Sequence, residues 1–300
     1  MRASDRWREQ LAAWAIPEDI IAAAPESPWG FSSELFGRRG AGVATSATVT
    51  PTTARGLEAL PEGGTVLDVG VGGGAMSLPL APQVGSIVGV DPQEDMLSAF
   101  RTNALAIGVD ARTVLGSWPD VANQVEVVDV VVVGHVFYNV SELEPFVRAL
   151  DAHARCRVVL ELTEHHPLMW MRDLWMHFHD LHRPTGPTVD DAMAVLTEVG
   201  IHAQREDRLV SAADSGAWFA HREDALHLVR KRLCLPAERD EEIAELLGTT
   251  RLREIDGSWD VGPSERTVVT IWWDTTAEGP DADRQHQPEI SLNRTDVNQE

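Results

Sequence analysis

Val66-Leu67-Asp68-Val69-Gly70-Val71-Gly72-Gly73-Gly74 is the stretch that decides the fold, and seventeen residues beyond it an apolar run ends in Asp91. Val66, Leu67 and Val69 have the character of a buried strand that stops at a glycine turn. Gly70, Gly72 and Gly74 leave room for a ligand to lie against bare backbone. Asp91 closes the next strand, Ile87-Val88-Gly89-Val90. There a carboxylate can accept both hydroxyls of a ribose. The expectation is a nucleoside-containing cofactor.

Two such cofactors compete. A dinucleotide needs a glycine turn opening a helix, and the usual pattern is G-x-G-x-x-G. Here the third glycine falls one place early, and Asp68 precedes the first glycine by two positions. An acid beside a pyrophosphate is repulsive, whereas beside the ammonium of a methionine moiety it is attractive. The residues favour S-adenosyl-L-methionine, with a nicotinamide oxidoreductase as the lesser alternative and a ligand-free tight turn as the plain structural one.

The segment from Asp68 to Met96 resembles the cofactor half of class I S-adenosylmethionine-dependent methyltransferases. Their D/E-x-G-x-G-x-G is matched by Asp68-Val69-Gly70-Val71-Gly72-Gly73-Gly74. Asp91-Pro92-Gln93-Glu94-Asp95-Met96 matches the second-strand acid and, five places on, the apolar residue that backs the adenine. Val130 to Val140 resembles the fourth strand and following loop of many actinobacterial members. The resemblance covers about residues 55–275. It implies a Rossmann-like α/β fold: a seven-stranded, mostly parallel sheet with an antiparallel last strand. It also places Gly134 at the methionine ammonium. Ser117 stands where many members carry an acid for the adenine amino group; Ser117 would hydrogen-bond there and Trp118 stack, unless Trp118 is a core residue.

Alternation of apolar runs with helical patterns independently argues a parallel sheet with right-handed crossovers. Strands are expected near residues 65–69, 86–91, 111–115, 127–134, 157–162, 201–209 and 266–274. Val127 to Val133, nearly all valine, reads as a central strand buried on both faces. Ser141 and Glu144 form a capping-box pattern for the following helix. Pro79 should bend or shorten the helix after the first strand. Residues 1–60 read as a helical region covering the cofactor site, and residues 61–275 as the methyltransferase domain, with helical insertions at about 165–200 and 212–250. The acidic, aperiodic stretch 276–300 reads as a disordered tail.

Composition narrows the partners. The 300 residues include 47 acidic and 25 basic ones, for a formal charge of −22, which repels phosphate backbones and argues against nucleic-acid substrates. No apolar run reaches the ~18 residues of a membrane span. The first residues lack an apolar signal segment, which points to the cytoplasm. Cys156 and Cys234 show no zinc or redox spacing and read as buried thiols. The sequence leaves the oligomeric state open.

Methyl transfer needs alignment and, for a hydroxyl acceptor, a base near neutral pKa. Histidine suits that role. His135 and His165 at strand ends are the candidates, with Tyr138 close behind. His165, His166, His177, His179 and His182 cluster in sequence, but with no ligand spacing that points to a metal. Trp170, Leu174 and Phe178 share a helix face, as a lid packed on the core or as the wall of an apolar pocket. The reading is a methyltransferase for a small apolar or aromatic metabolite, O-methylation favoured. The alternatives are a protein methyltransferase for basic peptides and a non-catalytic S-adenosylmethionine-binding regulator.

Overall fold

The computed structural model describes residues 1–30, 33–44, 48–215 and 217–275; the tail expectation for 276–300 lies outside the described residues. In chain order the elements are α1 (Ala3–Ala12), α2 (Glu18–Ala23), α3 (Ser33–Ala44), α4 (Pro51–Ala59), β1 (Gly64–Val69), β2 (Val84–Asp91), α5 (Glu94–Ala106), β3 (Asp110–Leu115), β4 (Val128–Gly134), α6 (Leu143–His153) and β5 (Ala154–Thr163). There follow α7 (Arg172–His179), α8 (Val189–Glu198), β6 (Gln204–Ser211), α9 (Ala212–Ser215), α10 (Arg222–Arg232), α11 (Asp240–Arg251), β7 (Leu252–Ile255), β8 (Ser258–Val261) and β9 (Glu265–Asp274).

Seven strands form one sheet in the order β3-β2-β1-β4-β5-β9-β6. The pairings from β3 across to β5 are parallel, and β9 runs antiparallel to both its neighbours. The strand order reverses between β1 and β4, which opens a crevice beyond their carboxyl ends. Period-two alternation explains why β4 needs so much valine. Val131 and Val133 join Leu67, Phe137, Phe146 and Val158 on one face. Val130 and Val132 join Val66, Ile87, Val159 and Trp272 on the other.

Pro79 has the effect its chemistry requires. After the glycine turn the chain makes no α-helix, only a 3₁₀ turn at Leu78–Leu80. The Ser141–Glu144 capping box does not form: α6 starts at Leu143 behind Glu142, with no side-chain cap. A capping box does form at Thr188 and Asp191, at the head of α8. Thr50 caps α4 by accepting the Thr53 N–H at 3.1 Å, with Pro51 at the first helical position.

The first sixty residues divide their work. In α1, Trp7 is wholly buried and its indole donates to the Val140 carbonyl at 2.8 Å, so this helix belongs to the core. The described part of α3 lies on the glycine turn, where Gly40 meets Gly73. The two insertions pack on each other: Met171, Leu174 and Trp175 join Leu226, Val229, Ile243 and Leu247 in a separate apolar cluster. The β7–β8 hairpin just after the second insertion was not anticipated. Both cysteines are free; Cys234 is buried but Cys156 is partly exposed. No described helix is long and apolar enough to cross a membrane.

Candidate functional site

The turn after β1 is wired inward. Gly70 and Val71 both donate N–H to the Val90 carbonyl, at 2.8 and 3.0 Å, and Gly74 donates to Val71 at 2.8 Å. Gly72 donates to Asp91 Oδ2 at 3.1 Å. These N–H groups are therefore spent, and no α-helix N-terminus follows them. A pyrophosphate needs both features, so the turn is poorly built for a dinucleotide. The glycines also serve packing more than the open-cradle expectation allowed. A Cβ on Gly70 would strike Val136, and one on Gly74 would meet Leu78 and Phe100 at 2.6–2.8 Å. Gly72, in the left-handed region at φ +51°, has only the Phe36 ring nearby, at 3.4 Å.

Asp68 lies wholly buried under this turn. Its Oδ2 accepts the Ser77 hydroxyl at 2.6 Å, while Oδ1 has no partner. Burial pushes this carboxyl up to about 7, against the Ser77 bonds and aided by the charge of Asp91. Asp91 accepts N–H groups from Gly72 on one oxygen and from Gln93, at 2.9 Å, on the other. Burial raises its pKa too, and those two backbone bonds oppose the rise. Each Asp91 oxygen keeps a lone pair for a hydroxyl. An ammonium would satisfy the orphaned Asp68 oxygen. The residues present thus fit the amino-acid and sugar ends of S-adenosylmethionine.

Adenine contacts are less evident. Met96 is buried beside the turn after β2, and Pro92 and Ser117 are exposed. Trp118, only 8% exposed, packs edge-on to His153 at 4.8 Å within the core. Its ring serves packing, so the stacking alternative gives way to the core one.

Strand register assembles a second polar group. Gly134 of β4 pairs with Glu161 of β5, and Glu161 pairs with Thr270 of β9. Residues opposed across an antiparallel pair share a face, and α4 lies over it. There Glu161 Oε2 accepts the Thr52 hydroxyl at 2.6 Å, and Thr52 meets Thr270 at 2.7 Å. Oε1 faces His135 Nε2 at 3.3 Å. Burial alone would raise the Glu161 carboxyl. The hydrogen bond and charge of His135, the Thr52 hydroxyl and the Arg39 charge more than reverse this and hold it at about 2. His135 sits at φ +57°, a left-handed conformation that costs a non-glycine residue about 1–3 kcal/mol. Its side chain is 30% exposed, and Nδ1 has no hydrogen-bond partner among the described residues.

The other two catalytic candidates stand elsewhere. Tyr138 is 4% exposed, stacked on Trp7, with its hydroxyl donating to the Thr163 carbonyl at 2.8 Å. Burial raises its pKa further, so it is a structural phenol and not a proton carrier. The half-exposed His165 lies 3.9 Å from Glu164, and no hydrogen bond or ion pair joins it to His135 or Glu161 among the described residues. The remaining histidines are dispersed. His166 stacks on Trp14 at 3.8 Å and is held down to about 4 by burial and by Arg183. His177 meets Glu242 at 2.9 Å and His179 the Leu233 carbonyl at 2.7 Å. No group of three metal-ligating side chains occurs among the described residues.

Sequence reading missed Thr52, Thr270 and the pairing of Glu161 with His135, since only register and α4 bring them together. It also missed Arg39, on the α3 helix that presses on the turn. Asn103 of α5 donates to both Gly37 and Gly73 carbonyls at 2.9 Å, and a Cβ on Gly40 would collide with the Gly73 carbonyl. The run Gly37-Arg38-Arg39-Gly40-Ala41-Gly42 was the available signal, since small residues let backbones meet.

Against this geometry, residues 66–156 match the model of the methyltransferase domain family. That match covers under a third of the chain and marks residues 66–156 as a methyltransferase domain. It is similar to the ubiquinone biosynthesis O-methyltransferases of Rhizobium etli and Rhizobium rhizogenes, each 39% identical over 98 residues, which is 32% of this chain and 37% of the relative. The matched part thus spans little more than a third of those relatives. Among solved structures it is similar to the YcgJ protein from Bacillus subtilis, with TM-score 0.47, 17% identity, and coverage of 75% of this chain and 97% of that one.

Proposed function

We propose that this protein transfers the methyl group of S-adenosylmethionine to the hydroxyl of a small, apolar or aromatic metabolite, with His135 as general base. The observation that carries the reading is the His135–Glu161 pair at the carboxyl edge of the sheet, two strands from the orphaned Asp68 oxygen. The relatives named for ubiquinone biosynthesis O-methylation support a small acceptor and an oxygen atom.

In this reading Asp68 holds the cofactor's ammonium and Asp91 its ribose. Gly70, Gly72 and Gly74 shape the turn, Gly134 offers its carbonyl, and Pro92, Met96, Ser117 and the Trp118 edge border the adenine. The cofactor, when bound, supplies a methyl group already made electrophilic by sulfonium charge, so the chain's own task is alignment and proton handling. Glu161 accepts from His135 Nε2–H, which fixes the imidazole tautomer and leaves the Nδ1 lone pair for the acceptor's hydroxyl proton. The Glu161 carboxylate then stabilises the imidazolium that results. His165 would border the acceptor's entrance.

The test is S-adenosylhomocysteine formation with a panel of phenols and hydroxy acids, run beside labelled protein in lysate. Turnover of a small phenol with no labelled protein is expected. Label confined to basic proteins would replace the small acceptor with a peptide. Tight cofactor binding with no product from any acceptor would leave a regulator.

A further inference from the structure

Arg39, a cation beside the site, has no hydrogen-bond acceptor among the described residues. Arg39 projects from α3 with its guanidinium laid over the Trp218 ring, 4.6 Å from the centroid. It makes no hydrogen bond or ion pair among the described residues. Glu161 acts on it only at a distance, with no hydrogen bond or ion pair between them. A guanidinium presents five donors in a planar fork, and taking it from water without acceptors is costly. Here one face is covered by an indole, which leaves the fork's edge as its means of finding a partner. In a chain of net charge −22, Arg39 and Arg266 both act on the carboxylate of Glu161, and Arg266 also acts on Asp260. A guanidinium with no acceptor among the described residues can draw a small anion through an otherwise repulsive field.

We propose that Arg39 and Trp218 form the acceptor's anchoring subsite, taking the carboxylate of an aromatic hydroxy acid in the guanidinium fork while its ring lies along the indole. A carboxylate matches that fork bidentately. His135 Nδ1, on the other side of Glu161, faces the hydroxyl. This rests on the methyltransferase reading for the identity of the hydroxyl end, though the anion subsite itself is a matter of binding alone. It assigns α3 a second task, since the helix seated on the glycine turn also carries the residue that selects the acceptor. No bond is made or broken at Arg39, and it is a specificity residue.

The experiment measures equilibrium binding of hydroxybenzoates and of their neutral methyl esters to the full-length protein, with and without S-adenosylhomocysteine. At least one acid should bind the wild type about 10-fold or more tighter than its ester. Arg39→Met should weaken that acid by roughly 30-fold or more while leaving its ester within about twofold, because truncating one partner of a desolvated charge pair removes the attraction to the other. Arg39→Lys should restore part of the preference as a point charge without the fork. The acid-to-ester ratio separates this from a folding defect, which would weaken both. Trp218→Leu should weaken acid and ester alike. Equal binding of acid and ester by the wild type, an unchanged ratio in Arg39→Met, or no binding of any hydroxybenzoate at about 1 mM overturns the proposal. Failure of S-adenosylhomocysteine to bind, with the acid preference intact, would sink the methyltransferase reading and leave the anion subsite standing.

Discussion

Asp68 has the most to reveal about the cofactor. Its carboxyl, pushed up to about 7 by burial, is largely protonated in the free protein below neutrality. An arriving ammonium favours the ionised form, so S-adenosylhomocysteine should release a proton as it binds. Affinity is expected to rise with pH from about 6 to 8, and the calorimetric enthalpy to depend on the buffer's ionisation heat. A buffer-independent enthalpy would remove Asp68 from the ammonium. Asp68→Asn keeps the bond from Ser77 and should abolish the proton release. Asp91→Ala should weaken S-adenosylhomocysteine by roughly 10-fold or more, the loss of two charge-assisted hydrogen bonds, with an unchanged circular dichroism spectrum. Glu161→Gln keeps an acceptor for Thr52 but removes the charge that steadies the imidazolium. Turnover is expected to fall about 10- to 100-fold with S-adenosylhomocysteine affinity intact; equal loss of both would make Glu161 a structural residue. Asp68 and Asp91 were legible in sequence because both sit in one contiguous strand–turn–strand stretch. Glu161 was visible only as a strand-end acid, since its partners come from positions 52, 135 and 270.

At the scale of elements, α3 is the piece whose placement sequence did not specify. Two of its glycines separate packing from propensity. Gly40 faces the Gly73 carbonyl with no room for a methyl group, whereas Gly42 has nothing within 4 Å of its Cβ position. Gly40→Ala should therefore lift α3 off the turn, and faster amide exchange at residues 70–76 would report it. Gly42→Ala should leave exchange there unchanged and stabilise the helix by about 0.5–1 kcal/mol, the ordinary gain of alanine over glycine in a helix. Slower or equal exchange in Gly40→Ala would mean that α3 is not held by this contact. The Ser141–Glu144 pattern shows the opposite failing: a good local motif remained unused because α6 starts one residue later than that cap requires, at Leu143, which reaches the core.

For the whole molecule, acid sensitivity follows from Glu161. Its folded pKa lies below the unfolded value of about 4.5, so its contribution is full above 4.5 and is lost as pH falls towards 2. That contribution is roughly 3 kcal/mol, and Glu161→Gln should flatten the fall in unfolding free energy between those limits. Asp68 has the reverse sign. Its raised pKa stabilises fully below about 4 and loses that stabilisation as pH rises through about 7, so ligand-free protein should be more stable at pH 6 than at pH 8.5 as far as this group decides it. The N-terminal helix α1 packs into the main core through Trp7. Trp7→Ala removes a wholly buried indole and its bond to the Val140 carbonyl, and should cost about 3–5 kcal/mol in denaturant unfolding.

The sequence by itself determined the mostly parallel sheet and marked a candidate cofactor strip, because those follow from local periodicity and from a motif confined to residues 66–96. Tertiary structure alone decided that His135 meets Glu161, that Tyr138 and Trp118 are core residues, and that α3 brings Arg39 beside Trp218. Those contacts join residues that lie on different elements of the chain, and burial and pairing between elements are fixed only when the strands are in register.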